Sequence, residues 1–166
     1  MNTVEKAKTD PKTQLWEQLE ASHDVMLGST NPSQHMQPMS PQLDKDEGAI
    51  WFYTRKDSEL AETVGSRGGK VQLCLINSDH NYHACLHGEL QVNHSQAHID
   101  RFWGPVVAAW YAGGKSDPKL TMLKFKPHSA GIWASSSSAL KFGWEIAKAN
   151  ISGSEPDVGH SVTIDF

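Results

Sequence analysis

Residues 51 to 58, Trp51-Phe52-Tyr53-Thr54-Arg55-Lys56-Asp57-Ser58, set flat aromatic surface beside hydroxyls and cations. A strand of aromatic and β-branched residues that ends in a hydroxyl and runs into a polar turn suits a phosphorylated aromatic ligand. The ring would lie along the strand, and Lys56, Ser58 and the free N–H groups of a helix start would meet the phosphate. An ordinary aromatic strand followed by a helix cap has the same composition, so the stretch alone leaves both readings open.

Other groups carry side chains able to reach such a ligand. In Met36-Gln37-Pro38-Met39, two thioethers and an amide are able to lie along a flat ring, although methionine also fills cores. Trp103 and Trp110 are seven residues apart and share a face if one helix continues across Pro105, either packed on the body of the fold or stacked near a ligand. His83 and His87 share a strand face, and His94 and His98 a helix face. No Asp, Glu or Cys joins them at ligand-like spacing, so no metal site is expected. Ser135 to Ser138 reads as a linker of small residues. There is no Gly-x-Gly-x-x-Gly, Walker loop or nucleophile elbow. No residue stands out as a general acid or base; His35 is nearest and reads as a solvated turn histidine, so catalytic residues stay unassigned.

These residues need a scaffold. Behind a solvated tail over residues 1–10, Asp10 caps and Pro11 opens a helix carrying Leu15, Trp16 and Leu19 to a stop near Ser22. Residues 25–30 read as a strand, Asn31-Pro32-Ser33 as a turn, and 34–41 as an edge strand because of Pro38 and Pro41. An acidic turn over 43–48 leads into the strand 49–54 and a short helix within 55–64. Residues 70–77 and 83–93 form a hairpin, with Gly88 at a bulge or a close backbone approach. Asn93 or Ser95 caps a helix that Pro105 splits and Gly113-Gly114 ends. Residues 120–133 alternate as a sixth strand broken at Pro127, 139–151 form a last helix, and 161–166 a terminal strand or arm. Short strands without helical crossovers predict a mainly β fold, a small closed or split β-barrel with peripheral helices.

At 166 residues the chain is most simply one domain, long enough to bury roughly two thirds of its unfolded surface and to fold alone or as a dimer. A net charge of −4 argues against a non-specific nucleic-acid partner. No apolar run approaches the roughly 20 residues of a membrane helix, and the first ten residues hold no apolar signal core, so no membrane partner and a cytoplasmic location are expected. Cys74 and Cys85 fall opposite each other if the hairpin turns at residues 78–81. A bridge there would be strained, and a reducing compartment predicts buried thiols.

The order of motifs now carries a resemblance. His35-Met36-Gln37-Pro38-Met39, Gly48 to Thr54, Asp57-Ser58, Val71-Gln72-Leu73, Gly88-Glu89-Leu90, Trp103-Gly104-Pro105, Trp110-Tyr111-Ala112-Gly113-Gly114, Asp117 to Leu120 and Ile132-Trp133 resemble the general stress protein 26 family. That family belongs to the pyridoxamine 5′-phosphate oxidase-related, FMN-binding split barrels. The resemblance spans residues 12–166 and is most specific from Trp103 to Pro118. It implies a six-stranded antiparallel split β-barrel over residues 11–166 and a homodimer with two flavin sites at the subunit interface. By position, Met36, Gln37, Pro38 and Met39 would line the isoalloxazine ring. Phe52, Tyr53 and Thr54 would contact the ring edge or ribityl chain, and Arg55, Lys56 and Ser58 would face the phosphate. Gln72, Trp103, Trp110 and Trp133 are similar to positions from which the partner subunit or a helical cover closes the site.

The sequence departs from that family at two points. Gln37 stands where an arginine is usual, and Leu60 where a lysine is usual; both are expected phosphate ligands. Two missing charge-assisted contacts at roughly 1.5 to 3 kcal/mol each weaken phosphate anchoring by several powers of ten unless Arg55, Lys56, Arg67 or Lys70 compensates. The expectation is therefore FMN binding with little phosphate selectivity, admitting FAD. Three functions follow: a flavin-dependent oxidoreductase, a non-catalytic flavin-binding stress protein, and a flavin-free interaction module. Typical pyridoxamine phosphate oxidation is not expected, since no basic set is left for a substrate phosphate.

Overall fold

The computed structural model describes residues 2–31 and 33–166. Two helices lead, α1 (Thr3–Thr9) and α2 (Pro11–Ala21), joined at Asp10, whose carboxylate accepts from Thr13 N at 3.2 Å. The expected solvated tail is thus largely helical. Asn2 caps α1 through Glu5 N, Val4 and Ala7 are buried, and Lys6 pairs with Glu17 of α2. An isolated seven-residue helix would not persist in water; contact of one face with the sheet supplies what its length cannot.

The strands are β1 (Val25–Ser29), β2 (Gln37–Met39), β3 (Gln42–Asp44) and β4 (Ala49–Arg55), then β5 (Gly69–Ile76) and β6 (Tyr82–Val92). Helix α3 (Glu59–Val64) lies between β4 and β5. After β6 come α4 (Gln96–Phe102), α5 (Pro105–Ala108), β7 (Leu120–Ser135), α6 (Ala139–Ser152) and β8 (Gly159–Asp165). Of the expected turn at residues 31–33, Pro32 lies outside the described residues; Ser33 N donates to Asn31 Oδ1 at 3.0 Å.

All pairing is antiparallel, in the order β2-β1-β5-β6-β7-β4-β3, with β8 along the second half of β7. The curled sheet is a split barrel, with eight strands where six were expected. Strand β3 is one that was not expected, and β8 is the terminal segment read as a strand or an arm, here paired with β7. The three residues of β3 alternate too briefly to read as a strand, and pairing with Ala49–Trp51 of β4 is what orders them.

Strand β7 is not broken at Pro127. Gly88 pairs with Pro127 and His87 with Ser129, so His128 is the extra residue of a bulge and the strand continues through it. The bulge absorbs the proline's missing N–H. Gly88 is required opposite: a Cβ there would lie 2.3 Å from the Lys126 carbonyl oxygen and 2.7 Å from the Phe125 ring.

The main core fills the barrel with Leu15 and Leu19 of α2, Ile50 and Phe52 of β4, Leu73, Leu86, Leu123, Phe125 and their neighbours. A second core lies on the outer face, where Ala49, Trp51, Leu120 and Met122 meet Ile99 and Tyr111 beneath α4 and α5. Strand β4 is therefore buried on both faces over Ala49–Phe52, and the site begins where that burial ends.

Candidate functional site

Alternation along β4 sends Ile50 and Phe52 into the barrel and Ala49 and Trp51 to the outer core, with Tyr53 packed against the outer core. Phe52 is fully buried in the barrel, and Leu60 of α3 packs in the same core. Neither offers a surface to a ligand, so those two expected contacts are core residues. The inward face of a barrel strand and the sheet-facing side of a short helix claim them.

Beyond Phe52 the strand loses its burial and runs through Arg55 into a polar turn at Lys56 and Asp57. Tyr53 donates its hydroxyl to the Ile99 carbonyl at 2.6 Å and meets the Trp103 indole edge-on, the ring centroids 6.1 Å apart. Burial, with Asp100 and Tyr111 adding, pushes the Tyr53 phenol up to about 12, so it stays a donor tied to α4. Thr54 Oγ1 donates to Ser58 Oγ at 3.0 Å, and Ser58 Oγ accepts from Ala61 N at 3.3 Å as the cap of α3. Lys56 is exposed and makes no ion pair among the described residues, while its backbone N–H donates to the Lys119 carbonyl at 2.8 Å. Arg55 is engaged by Asp57 through two bonds of 2.8 Å. That hydrogen bond, with the Asp57 charge, holds the guanidinium above its ordinary value.

Pro105 stops α4 and starts α5, so Trp103 and Trp110 do not share one helix face. Trp103 is half-buried between Tyr53 and Tyr111, whereas Trp110 is 79% exposed. Asp117, which accepts from Gly113 N at 3.0 Å and Lys119 N at 2.9 Å, fixes the loop after Tyr111.

The remaining expected residues lie across the sheet. On β1, Gly28 pairs with Gln72, and a Cβ on Gly28 would lie 2.8 Å from Met36 Cγ, so Met36 and Gln72 adjoin one outward row. Gln72 Nε2 lies 2.9 Å from His87 Nε2 in that row. Gln37, Pro38 and Met39 form edge strand β2, with Gln37 and Met39 half-buried and Pro38 exposed. Trp133, 52% exposed, lies over Gly131 of β7. Gln34 ties this segment to α3 by donating to Thr63 Oγ1 at 2.5 Å. The chain thus joins Thr54 and Ser58 at the end of β4, with Arg55 and Lys56 between them in sequence, sets Tyr53 with Trp103 on the outer face of that strand, and brings Met36 and Gln72 together elsewhere on the sheet.

One constellation was not anticipated. Asp44 of β3 is buried and accepts from Arg101 Nη1 at 2.8 Å; its Oδ2 lies 3.0 Å from His98 Nε2. His98 Nδ1 lies 2.7 Å from Ser95 Oγ, and its ring stacks on Trp51 with centroids 3.8 Å apart. Burial raises the Asp44 carboxyl, but the Glu47 N–H, His98 and Arg101 outweigh it and hold the group below its ordinary value. The Ser-His-Asp sequence of contacts is not a nucleophile arrangement: Ser95 Oγ also caps α4 by accepting from His98 N. Glu47 joins Asp44 and His98 within metal-ligand range, yet Arg101 and Lys124 already pair with the two carboxylates. The sequence hid this cluster, because Asp44 sits in an acidic stretch that reads as a solvated turn.

The family model described as pyridoxamine 5′-phosphate oxidase like matches residues 10–157. The chain belongs to that family. No curated protein matches it. A solved structure assigned as general stress protein 26 of Jannaschia sp. CCS1 is 36% identical, covering 95% of this chain and 99% of that one, with a TM-score of 0.79. The general stress FMN/FAD binding protein of Xanthomonas citri is 37% identical over 75% of this chain and 89% of its own, with a TM-score of 0.70. The FAD binding protein of Mycobacterium smegmatis, 14% identical over 73% of this chain and 92% of its own, shares the fold at a TM-score of 0.56. The resemblance of this oxidase-like chain to the general stress protein 26 group therefore stands. No helix among its described residues is long and apolar enough to cross a membrane.

Proposed function

We propose that the chain is a flavin-binding stress protein of the cytoplasm that holds FMN, and admits FAD, at the interface of a homodimer. The observation that carries this reading is the end of β4 and the turn after it, where the Thr54 and Ser58 hydroxyls bond to each other next in sequence to Lys56, which makes no ion pair among the described residues, while Tyr53 and Trp103 pair on the outer face of the same strand. The 37% identity to the Xanthomonas citri FMN/FAD binding protein supports it. These residues fit a ring with a phosphorylated tail in kind. They fit the phosphate weakly, since Arg55 is engaged by Asp57 and Leu60 is buried.

In this reading Thr54, Ser58 and Lys56 hold the phosphate, Met36 to Met39 line the ring, and Trp103 keeps water from one side. Gln72, Trp110 and Trp133 close the site of a second copy, which fits their exposure to different degrees on a lone chain. Bound flavin would supply hydride or electron transfer. The chain contributes binding, orientation and exclusion of water. A second reading, a flavin-free interaction module, is favoured by Gln37 and Leu60, which stand where the family usually carries cations.

Titration of the flavin-stripped full chain with FMN, FAD and riboflavin separates these. All three should bind, with FMN ahead of riboflavin by less than about tenfold. Tight binding of FMN alone would overturn the weak-phosphate part, and binding of none would leave the flavin-free module. Bleaching of the bound flavin by NADH or NADPH, with reoxidation in air, is the outcome expected of an oxidoreductase; a flavin that stays oxidised marks a non-catalytic binder. A sedimentation mass of one chain would remove the homodimer.

A further inference from the structure

Cys74 and Cys85 are direct partners across the β5–β6 hairpin, and both are free thiols. The hairpin closes at Asn77, whose N–H donates to the Tyr82 carbonyl at 3.1 Å. The reciprocal Tyr82 N–H turns to the Asn77 side chain at 3.0 Å. Asn77 and Tyr82 thus occupy a hydrogen-bonded position, and the register runs unbroken from Ile76–His83 to Leu75–Ala84 to Cys74–Cys85. Hydrogen-bonded and non-hydrogen-bonded pairs alternate along an antiparallel ladder, which makes Cys74–Cys85 a non-hydrogen-bonded pair. In such pairs the Cα atoms stand about 4.5 Å apart, inside the range of roughly 4.4–6.8 Å at which disulfides form.

Both side chains point out of the barrel, since Leu73, Leu75, Ala84 and Leu86 on either side of them are core residues. Both are half-buried. Their row continues to Met26 on β1, 40% exposed, and to Gly131 on β7, over which the Trp133 indole lies. Burial and the adjoining Cys85 thiol push Cys74 up to about 11, so at neutral pH it is held as a thiol against its neighbour.

We propose that Cys74 and Cys85 form an oxidant-responsive pair that closes to a reversible intramolecular disulfide when a peroxide reaches this face of the sheet. In the first step, Cys85–SH and hydrogen peroxide give the sulfenic acid and one water. Cys74–SH then attacks that sulfur, forming the S–S bond and releasing the second water. The oxidant is the peroxide, reduced to two waters, and the two cysteines lose two electrons and two protons between them. A Cα spacing at the short end of the permitted range makes the bridge strained, and strained bridges are the readily reduced ones. The bond therefore switches rather than staples. It would form two pairs along the hairpin from the Gln72–His87 contact, on the same face. The inference does not depend on flavin binding, and peroxide is small enough to enter a hydrated interface if a second copy covers the face.

The test uses the reduced full chain and excess hydrogen peroxide. Both thiols should be lost together, with the mass falling by two hydrogens and the chain remaining single on a non-reducing gel. After cleavage following Tyr82, the two halves should stay linked until dithiothreitol is added. The Cys85→Ser chain should form no intramolecular link and keep the Cys74 thiol titratable over the same period. Addition of oxygen to either sulfur without a linked peptide, cross-links between chains only, or two surviving thiols would each overturn the proposal.

Discussion

Arg55 reaches back to Asp57, two residues on, with both guanidinium bonds at 2.8 Å. The nearest arginine to the proposed phosphate seat is therefore neutralised by its own turn. Replacing Asp57 with Asn keeps the turn's polarity and releases the arginine. FMN binding should tighten severalfold, the scale of an exposed pair, while riboflavin binding stays unchanged. Fluorescence titration of both ligands checks this, and an equal change in both would mean that Arg55 does not face the phosphate.

Gln37 and Leu60 separate in the structure, although both stand where the family resemblance leads one to expect a cation. Gln37 is half-buried on edge strand β2, while Leu60 is 4% exposed and packed in the barrel core. Gln37→Arg should leave stability nearly unchanged and tighten FMN relative to riboflavin by about tenfold or more, the worth of one charge-assisted bond. Leu60→Lys should instead lower stability by roughly 2–4 kcal/mol, because it removes core volume and must carry an ammonium out to water. Urea unfolding beside flavin titration distinguishes them; a Leu60→Lys chain of ordinary stability with tighter FMN would put position 60 in the site.

Most of the barrel was legible because its strands alternate strongly and its hairpins carry turn residues. The Asn77–Asn81 turn, the Gly88 bulge and the split of the helix at Pro105 all follow from local chemistry. What stayed hidden depends on partners distant in sequence. Strand β3 exists through β4, α1 through its contact with the sheet, and the Asp44–His98–Arg101 cluster joins residues 54 and 57 positions apart. The aromatic strand was read correctly as a strand, but which of its faces meets a ligand was not readable. Phe52 lies on the inward face with Ile50, and because the outer face of β4 is covered too, alternation alone does not tell which face is open.

Gly88 tests the bulge. A Cβ at this position would meet a backbone oxygen at 2.3 Å and an aromatic carbon at 2.7 Å, neither of which is the loose end of a flexible chain. Gly88→Ala should cost about 1–3 kcal/mol or more through overpacking. Gly143, on exposed helix α6 with open space around its Cβ position, is the control, and Gly143→Ala should stabilise slightly. Thermal unfolding of the two variants should move in opposite directions; a Gly88→Ala chain as stable as the parent would mean that β6 and β7 are not held at this register.

Asp44 gives the fold an acid limit. Its carboxyl is held below its ordinary value by the Glu47 N–H, His98 and Arg101, against the effect of burial. A carboxyl whose folded value lies below its unfolded one, about 3.9, contributes stability that is complete above that pH and is lost as pH falls through the lower folded value. Stability should therefore hold from neutral pH to about pH 5 and then decline, with α4 releasing from β3 as Asp44 takes up a proton. Asp44→Ala should cost roughly 1–3 kcal/mol near neutrality, since it leaves the Glu47 N–H and the His98 ring without their acceptor while the half-exposed Arg101 turns to water, and should flatten the decline below about pH 4. Urea midpoints across that range for the parent and the variant measure both effects; an acid limb equally steep in the two chains would assign the loss to other carboxylates.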